Sequence, residues 1–256
     1  MRNFRLLVEY DGTDYNGWQI QSPHQRRKGG RVKTVQGVLE NALSALFSKK
    51  ITLISSSRTD SGVHAKGHAA NFKVRTGLNP QRVKKALNSL LPDDIVIRKV
   101  EEARPHFNAQ YDAVSKLYRY SVYAGDYPPV FLRRYVYHIR QPLDLPLMRK
   151  EAAALLGRHD FSAFKSNDGR RDVSCRRNLK RLDIKKKSRM VLVEIEADGF
   201  LHNMVRNIAG TLIEVGRGKF PPGSVKKILK LRKRSAAGPA APAKGLCLVG
   251  VKYPLV

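Results

Sequence analysis

Cysteine is nearly absent from this sequence of 256 residues. Only Cys175 and Cys247 occur, in no CxxC arrangement, which argues against a disulfide framework or structural zinc and fits a reducing compartment. Long apolar runs are missing too, since no stretch approaches the roughly 20 residues that cross a bilayer. The opening Met1-Arg-Asn-Phe-Arg-Leu-Leu-Val8 interrupts its apolar residues with charge, unlike a signal peptide, so a cytoplasmic location is expected. No phosphate loop is present either. Val215-Gly-Arg-Gly-Lys219 lacks the GxxxxGK[ST] spacing and follows a predicted helix where a true phosphate loop follows a strand. His64 and His68 have no flanking carboxylate or thiol, and packing accounts for them better than a metal does. No metal and no organic cofactor is therefore expected.

Acidic residues are the most telling shortage. Asp plus Glu number 21 against 49 Lys plus Arg, a formal net charge of +28 and a pI near 10.4. Such self-repulsion contributes nothing to folding, so a polyanionic partner is its natural explanation, with nucleic acid ahead of a membrane surface. Hydrophobic residues at 42% and charged residues at 27% describe a globular chain and not a disordered one.

Hydrophobic spacing organises the chain. Phe4, Leu6, Val8 and Tyr10 alternate as in a half-buried strand. A polar loop follows from Asp11 to Lys33, ending in the basic stretch Arg26–Lys33, which is expected to be mobile in the free protein. Val35 to Phe47 has helical spacing with Thr34 placed to cap it. Ile51–Ser57 and Gly67–Arg75 read as strands. Asn79-Pro80 opens a helix running to about Leu90, and Ile95–Glu101 reads as a strand. The order β-α-β-β-α-β is the split ferredoxin-like pattern.

The second half repeats this order loosely. Strands are predicted at Ser115–Ala124, Arg176–Ile184, Met190–Ala197 and Leu246–Tyr253. Helices are predicted at Leu147–Leu156, His202–Val215 and Ser224–Arg232. The expected architecture is α+β: two ferredoxin-like (RRM-like) halves, residues 1–105 and 106–256, with mainly antiparallel sheets that join or face each other across a cleft. The boundary is expected near Ala103-Arg-Pro-His106.

Three groups of residues invite chemistry. Ser57-Arg-Thr-Asp-Ser-Gly-Val-His-Ala65 lies between two predicted strands, and its Thr-Asp-Ser-Gly is also ordinary turn material. Arg58, two residues from Asp60, would keep that carboxylate ionised and oriented. Tyr118 and Tyr120 share a strand face in Lys116-Leu-Tyr-Arg-Tyr120; they are either core or a platform for an extruded base. Arg170–Arg189 holds ten Lys or Arg against Asp172 and Asp183, and Arg170, Arg171, Arg176, Arg177, Lys180 and Arg181 are its candidate phosphate contacts. The basic helix end Lys226–Arg234 is a weaker candidate of the same kind. Arg206, on the helix after Gly199, is a surface residue by default; if buried it needs a carboxylate, for which Asp60 is a candidate.

Together these segments resemble the tRNA pseudouridine synthase A family over nearly the whole chain. The resemblance rests on Tyr10-Asp-Gly-Thr-Asp-Tyr-Asn-Gly-Trp-Gln19, Thr34-Val-Gln-Gly-Val-Leu-Glu40, Ser57–Ala65 and Lys116–Tyr120. It continues through His159-Asp-Phe-Ser-Ala-Phe164, Gly199–Gly210 and Ala237–Leu246. It implies Asp60 as the catalytic aspartate, Tyr118 as the active-site tyrosine that stacks on the target base, and Arg58 as the residue filling the space a flipped base leaves. It further implies that Arg206 pairs with the aspartate and that Leu246 belongs to an apolar pocket. Cofactor-free homodimers of two ferredoxin-like halves, with a catalytic cleft between the halves, are implied as well, acting on uridines at the 3′ side of the tRNA anticodon stem-loop. Ser61, where the family usually has alanine, and the longer basic loop 22–33 depart from the pattern.

The expected reaction breaks the C1′–N1 bond of uridine, turns the base and joins C1′ to C5. No electron or phosphoryl group is exchanged, in keeping with the lack of cofactor motifs. The residues leave three routes open for Asp60: attack on C1′, attack on C6, or assistance in losing the C2′ proton. A non-catalytic basic RNA-binding protein is the rival reading, and it leaves the joint occurrence of Arg58, Asp60, Tyr118 and Arg206 unexplained. A DNA-binding regulator is a second rival, for which no convincing helix-turn-helix or zinc-finger pattern is present.

Overall fold

The computed structural model describes residues 1–21, 32–167, 169 and 174–254. The basic loop 22–31 and Arg170 and Arg171, all singled out above, lie outside the described residues. The chain forms two compact units, Met1–Val114 with Leu248–Val256, and Ser115–Cys247.

The first unit opens with β1 (Arg2–Tyr10), α1 (Val35–Phe47), β2 (Ile54–Ser55), β3 (His64–Val74), α2 (Pro80–Leu90) and β4 (Ile95–Ala103). Its final strand, β10 (Leu246–Lys252), starts in the second unit and contributes Leu248–Lys252 here. β1 lies between β4 and β3, antiparallel to both, and β10 neighbours β3 on its other side. The predicted alternation is what the sheet uses: Phe4, Leu6, Val8 and Tyr10 are buried, and the Phe4 and Phe72 rings stack with centroids 5.5 Å apart. Both predicted helix caps form. Thr34 accepts from Gly37 N–H and Asn79 from Arg82 N–H, each satisfying a donor with no partner inside its helix.

Three expectations for this half need correction. The strand expected over Ile51–Ser57 shrinks to Ile54–Ser55, because the chain then turns to make the Asp60 loop. The strand expected from Gly67 begins at His64. The boundary falls at Val114 and not at 103–106, since the residues after β4 stay with the first unit. Asn3 Nδ2 donates to Arg104 O and Phe107 O, both at 2.9 Å, and Ala109 N donates to Asn71 Oδ1 at 2.8 Å. Val114 N donates to Lys252 O at 2.8 Å, tying this segment to the returning terminus.

The second unit contains β5 (Ser115–Ala124), β6 (Tyr137–Ile139), α3 (Leu145–Ala153), β7 (Gly157–Asp160), β8 (Arg176–Lys187), β9 (Met190–Ala197), α4 (Met204–Gly216) and α5 (Ser224–Leu231). Its strand order is β5-β9-β8-β7, antiparallel throughout, with β6 parallel to β5. β6 and β7 escaped the sequence reading because three- and four-residue strands carry too little alternation to detect. α4 is buried almost all round. Gly210 lets the backbone of Pro239 cross the helix directly, and Gly238 on the crossing segment meets Thr211 in the same way. Glu151 of α3 caps the start of α5, accepting from Gly223 N at 2.6 Å and Val225 N at 2.9 Å.

The crossing supplies a test of the packing. A methyl at position 210 would collide with Pro239 O, so Gly210→Ala forces the crossing segment off the helix. Overpacking of this kind costs about 1–3 kcal/mol, so scanning calorimetry should show Tm lower by roughly 3–10 °C. A Tm within a degree of the parent would mean that the crossing yields freely.

Candidate active site

Asp60 sits at the first corner of a turn. Val63 N donates to Asp60 O at 3.2 Å, and Gly62, at φ +76°, takes the position that needs a positive φ. As geometry this is the plain turn that Thr-Asp-Ser-Gly promised. What sets it apart is the segment laid across it. Trp18 N donates to Thr59 O at 3.1 Å, and Gly62 N donates to Tyr15 O at 3.2 Å. Ser61 Oγ donates to the same Tyr15 carbonyl at 3.2 Å. Ser61 thus takes an anchoring role that an alanine side chain at this position would lack.

Two glycines make this approach feasible. A Cβ on Gly12 would collide with Val63 O, and one on Gly17 would stand 2.5 Å from Thr59 O. Gly17 also has φ +80°, which other residues rarely adopt. Sequence reasoning quoted both within Tyr10–Gln19 and gave neither a role. Two glycines five residues apart beside an Asp-containing turn were the available signal.

Behind the turn lies a buried polar cluster. The Tyr10 hydroxyl is 2.7 Å from Thr59 Oγ1 and 3.1 Å from His68 Nδ1, and His68 Nε2 is 2.9 Å from Ser55 Oγ. The rings of Trp18 and His68 stack with centroids 3.7 Å apart. His64 Nδ1 lies 3.1 Å from Gly12 N and 3.0 Å from Asp11 Oδ1, at the root of the same loop. Among the described residues, no group of three or more His, Cys, Asp or Glu is placed to hold a metal ion. Arg58 is exposed, whereas Asp60 is only partly so.

The second unit holds the other candidates. Tyr118 is 5% exposed and meets Phe200 edge-on, with centroids 5.2 Å apart. Tyr120, on the same face of β5, is fully buried and donates to Pro242 O at 2.8 Å. Arg206 is half-buried and not the surface residue that was the default. Its guanidinium donates to Ala241 O at 2.8 Å and to Asn203 Oδ1 at 3.0 Å, and Ala241 N returns a bond to Arg206 O at 3.0 Å. Residues 237–245 therefore act as a strap. They cross α4, hold Arg206, cover the Tyr120 ring (Gly245 admits no side chain there) and end at buried Leu246.

The basic candidates on β8 are not equivalent. Arg181 donates to Asp183 at 2.6 Å and to Glu194 at 2.8 Å. Glu194 also takes Arg119 at 2.6 Å, so this part of the sheet carries a balanced network. Arg177 folds back onto the carbonyls of Ser174 and Arg176, both at 2.7 Å. Arg176, Lys180, Lys185, Lys186, Lys187 and Arg189 are exposed. From the basic helix end, Arg234 is drawn inward to Asn207 Oδ1 at 2.9 Å.

Comparison with known proteins decides what this set of residues belongs to. A family model described as tRNA pseudouridine synthase matches residues 6–112 and 152–254. The chain belongs to the tRNA pseudouridine synthase family. It is 45% identical over 253 residues to a protein named tRNA pseudouridine synthase A from Acetivibrio thermocellus, covering 99% of this chain and 100% of that one. It is 43% identical over 253 residues to a protein of that name from Thermoanaerobacter pseudethanolicus, with the same coverage. A third, from Moorella thermoacetica, is 41% identical over 249 residues, 97% of this chain and 98% of the relative. The enzyme is thus an isomerase that converts uridine in tRNA to pseudouridine, and the non-catalytic RNA-binding reading gives way. Among the described residues, no helix is long and apolar enough to cross a membrane.

Lys116 gives this enzyme a measurable pH signature. It stands two residues before Tyr118 on the same strand face, and burial, aided by the nearby Arg177 charge, pulls its ammonium down to about 8 from the ordinary 10.5. A lysine lowered by folding is a cost that is fully present below the folded value and relieved as pH rises toward the unfolded one. Lys116→Met should therefore be more stable than the parent at neutral pH, with the gap closing between about pH 8 and 10. Denaturant titrations across that range would refute the assignment if the gap stayed constant.

Proposed function

We propose that this enzyme acts on uridines at the 3′ side of the anticodon stem-loop, with Asp60 as its essential carboxylate and the target base flipped from its stack. The observation that carries the reading is the construction of the Asp60 turn: backbone against backbone, at two glycines, with a buried polar cluster behind it. A turn that only reversed the chain would need none of this, whereas a catalytic carboxylate must be held within a fraction of an ångström.

The roles follow the resemblance. Tyr118 stacks on the extruded base and its hydroxyl assists proton movement, Arg58 fills the vacated space, Arg206 pairs with the carboxylate, and Leu246 lines an apolar pocket. The Phe200 edge against the Tyr118 ring and the Ala241 and Asn203 bonds to Arg206 support these roles, because each fixes the side chain it serves. Extruding a base costs a few kcal/mol, which stacking and phosphate contacts must offset. The exposed cation Arg176 suits such contacts better than Arg181, whose charge is already engaged, and Lys180 is exposed as well. Arg170 and Arg171 extend the same basic stretch.

The proposal includes the two ferredoxin-like halves, a cytoplasmic homodimer and cofactor-free action. The strand order β4-β1-β3, with β2 pairing β3, supports the ferredoxin-like reading of the first half. Tyr127, Val130 and Phe131, the last 94% exposed, support a protein contact of the kind a dimer requires.

Two substitutions test the chemistry. Asp60→Asn keeps the size and turn preference but removes the negative charge. Single-turnover pseudouridine formation should vanish while tRNA affinity holds, because affinity comes from many phosphate contacts. A folded variant with near-normal yield would remove Asp60 from the mechanism. Tyr118→Phe keeps the ring, so tRNA binding should persist while turnover drops by about 10²–10⁴-fold, the span of a lost general acid or base. Untouched turnover would leave Tyr118 a stacking role only.

A further inference from the structure

We infer that His68 is a positioning residue for the Asp60 turn, acting through two hydrogen-bonded arms and one stacked ring. The inference rests on Asp60 being the essential carboxylate.

His68 is fully buried on β3, eight residues beyond Asp60. Three routes lead from its ring to the segment that carries Arg58 and Asp60. The first runs from Nδ1 to the Tyr10 hydroxyl, at 3.1 Å, and on to Thr59 Oγ1, at 2.7 Å, on the residue just before Asp60. The second runs from Nε2 to Ser55 Oγ, at 2.9 Å, which in turn reaches Ser57 O at 2.5 Å, on the residue just before Arg58. The third is the stack on Trp18, at 3.7 Å, whose backbone N–H holds Thr59 O at 3.1 Å. Stacking and burial hold the indole, since its Nε1 has no hydrogen-bond partner among the described residues.

The proton positions follow from the acceptors. A carbonyl only accepts, so Ser55 Oγ–H points at Ser57 O and the Ser55 oxygen must accept from His68 Nε2–H. In the neutral imidazole, Nδ1 then accepts from the Tyr10 hydroxyl, and the Tyr10 oxygen accepts from Thr59 Oγ1–H. In that tautomer the links run one way, from Thr59 through Tyr10, His68 and Ser55 to Ser57. The ring thus needs a donor on one side and an acceptor on the other. An apolar ring of similar shape satisfies neither side, whereas a glutamine amide offers one of each.

The test compares His68→Phe with His68→Gln in the full-length enzyme on tRNA. His68→Phe keeps a ring to stack on Trp18 and removes both arms. Its single-turnover rate should fall by about ten- to a hundredfold, the effect of a small misplacement at the reacting centre, with tRNA Kd changed by no more than about twofold. His68→Gln should recover most of the rate. Trp18, the only tryptophan and fully buried, reports folding directly, because its emission stays blue-shifted while the cluster is intact. Wild-type turnover in His68→Phe would overturn the inference, as would equal losses in both variants, since those would reduce His68 to a space-filling role. If His68→Phe loses the blue-shifted emission, Tyr10→Phe decides, because it deletes one hydroxyl and leaves both rings. A lowered rate at unchanged Kd then supports the inference, and an unchanged rate overturns it. Asp60→Asn in the same assay separates the two failures: activity there sinks the Asp60 assignment, while inactivity beside a fully active His68→Phe sinks only the role of His68.

Discussion

Two stretches of backbone in direct contact set the frame for the first unit. Gly12 and Gly17 have no side chain because the 59–63 turn occupies the space where one would be. Backbone that close exchanges hydrogen bonds in place of side-chain contacts, and the bonds Trp18 N to Thr59 O and Gly62 N to Tyr15 O follow. Side chains repack when a neighbour changes, but two backbones bonded to each other move only together. The Asp60 turn therefore inherits the rigidity of β1, which delivers the first segment, and of β3, which begins at His64 immediately after the second.

The second unit solves a related problem with the same device. Residues 237–245 have no regular structure long enough to hold themselves in place. They are fixed where Gly210 and Gly238 let backbone reach α4, and where Arg206 and Ala241 bond to each other twice. Arg206 is thereby tied by its own side chain and by its main chain. Its guanidinium donates to a carbonyl and to an amide oxygen, which fix its direction.

The large positive charge is less uniform than the composition implies. Across β5, β8 and β9, Arg119 and Arg181 converge on Glu194, and Ser115 donates to Glu196, so part of the basic charge balances buried acids. The exposed positive charge of this stretch therefore lies with Lys185–Lys187 more than with the paired arginines.

Periodicity and caps were legible in the sequence because they are local. Alternation over Phe4–Tyr10, helical spacing over Val35–Phe47, and the Thr34 and Asn79 caps depend on neighbours a few residues away. The Asp60 turn was legible as a turn for the same reason. The return of Leu248–Lys252 to the first unit was not, nor was the retention of residues 104–114, because Asn3, Asn71 and Lys252 lie far away in sequence. The same limit hid His68, Tyr10 and Trp18 as supports of the turn, and it left His68 as one of two histidines assigned to packing alone. Residue type and spacing determined which groups this chain has for the chemistry. Only the tertiary structure decided which of them hold Asp60 still, since contacts between distant residues are set by how the strands pair and leave no period in the sequence.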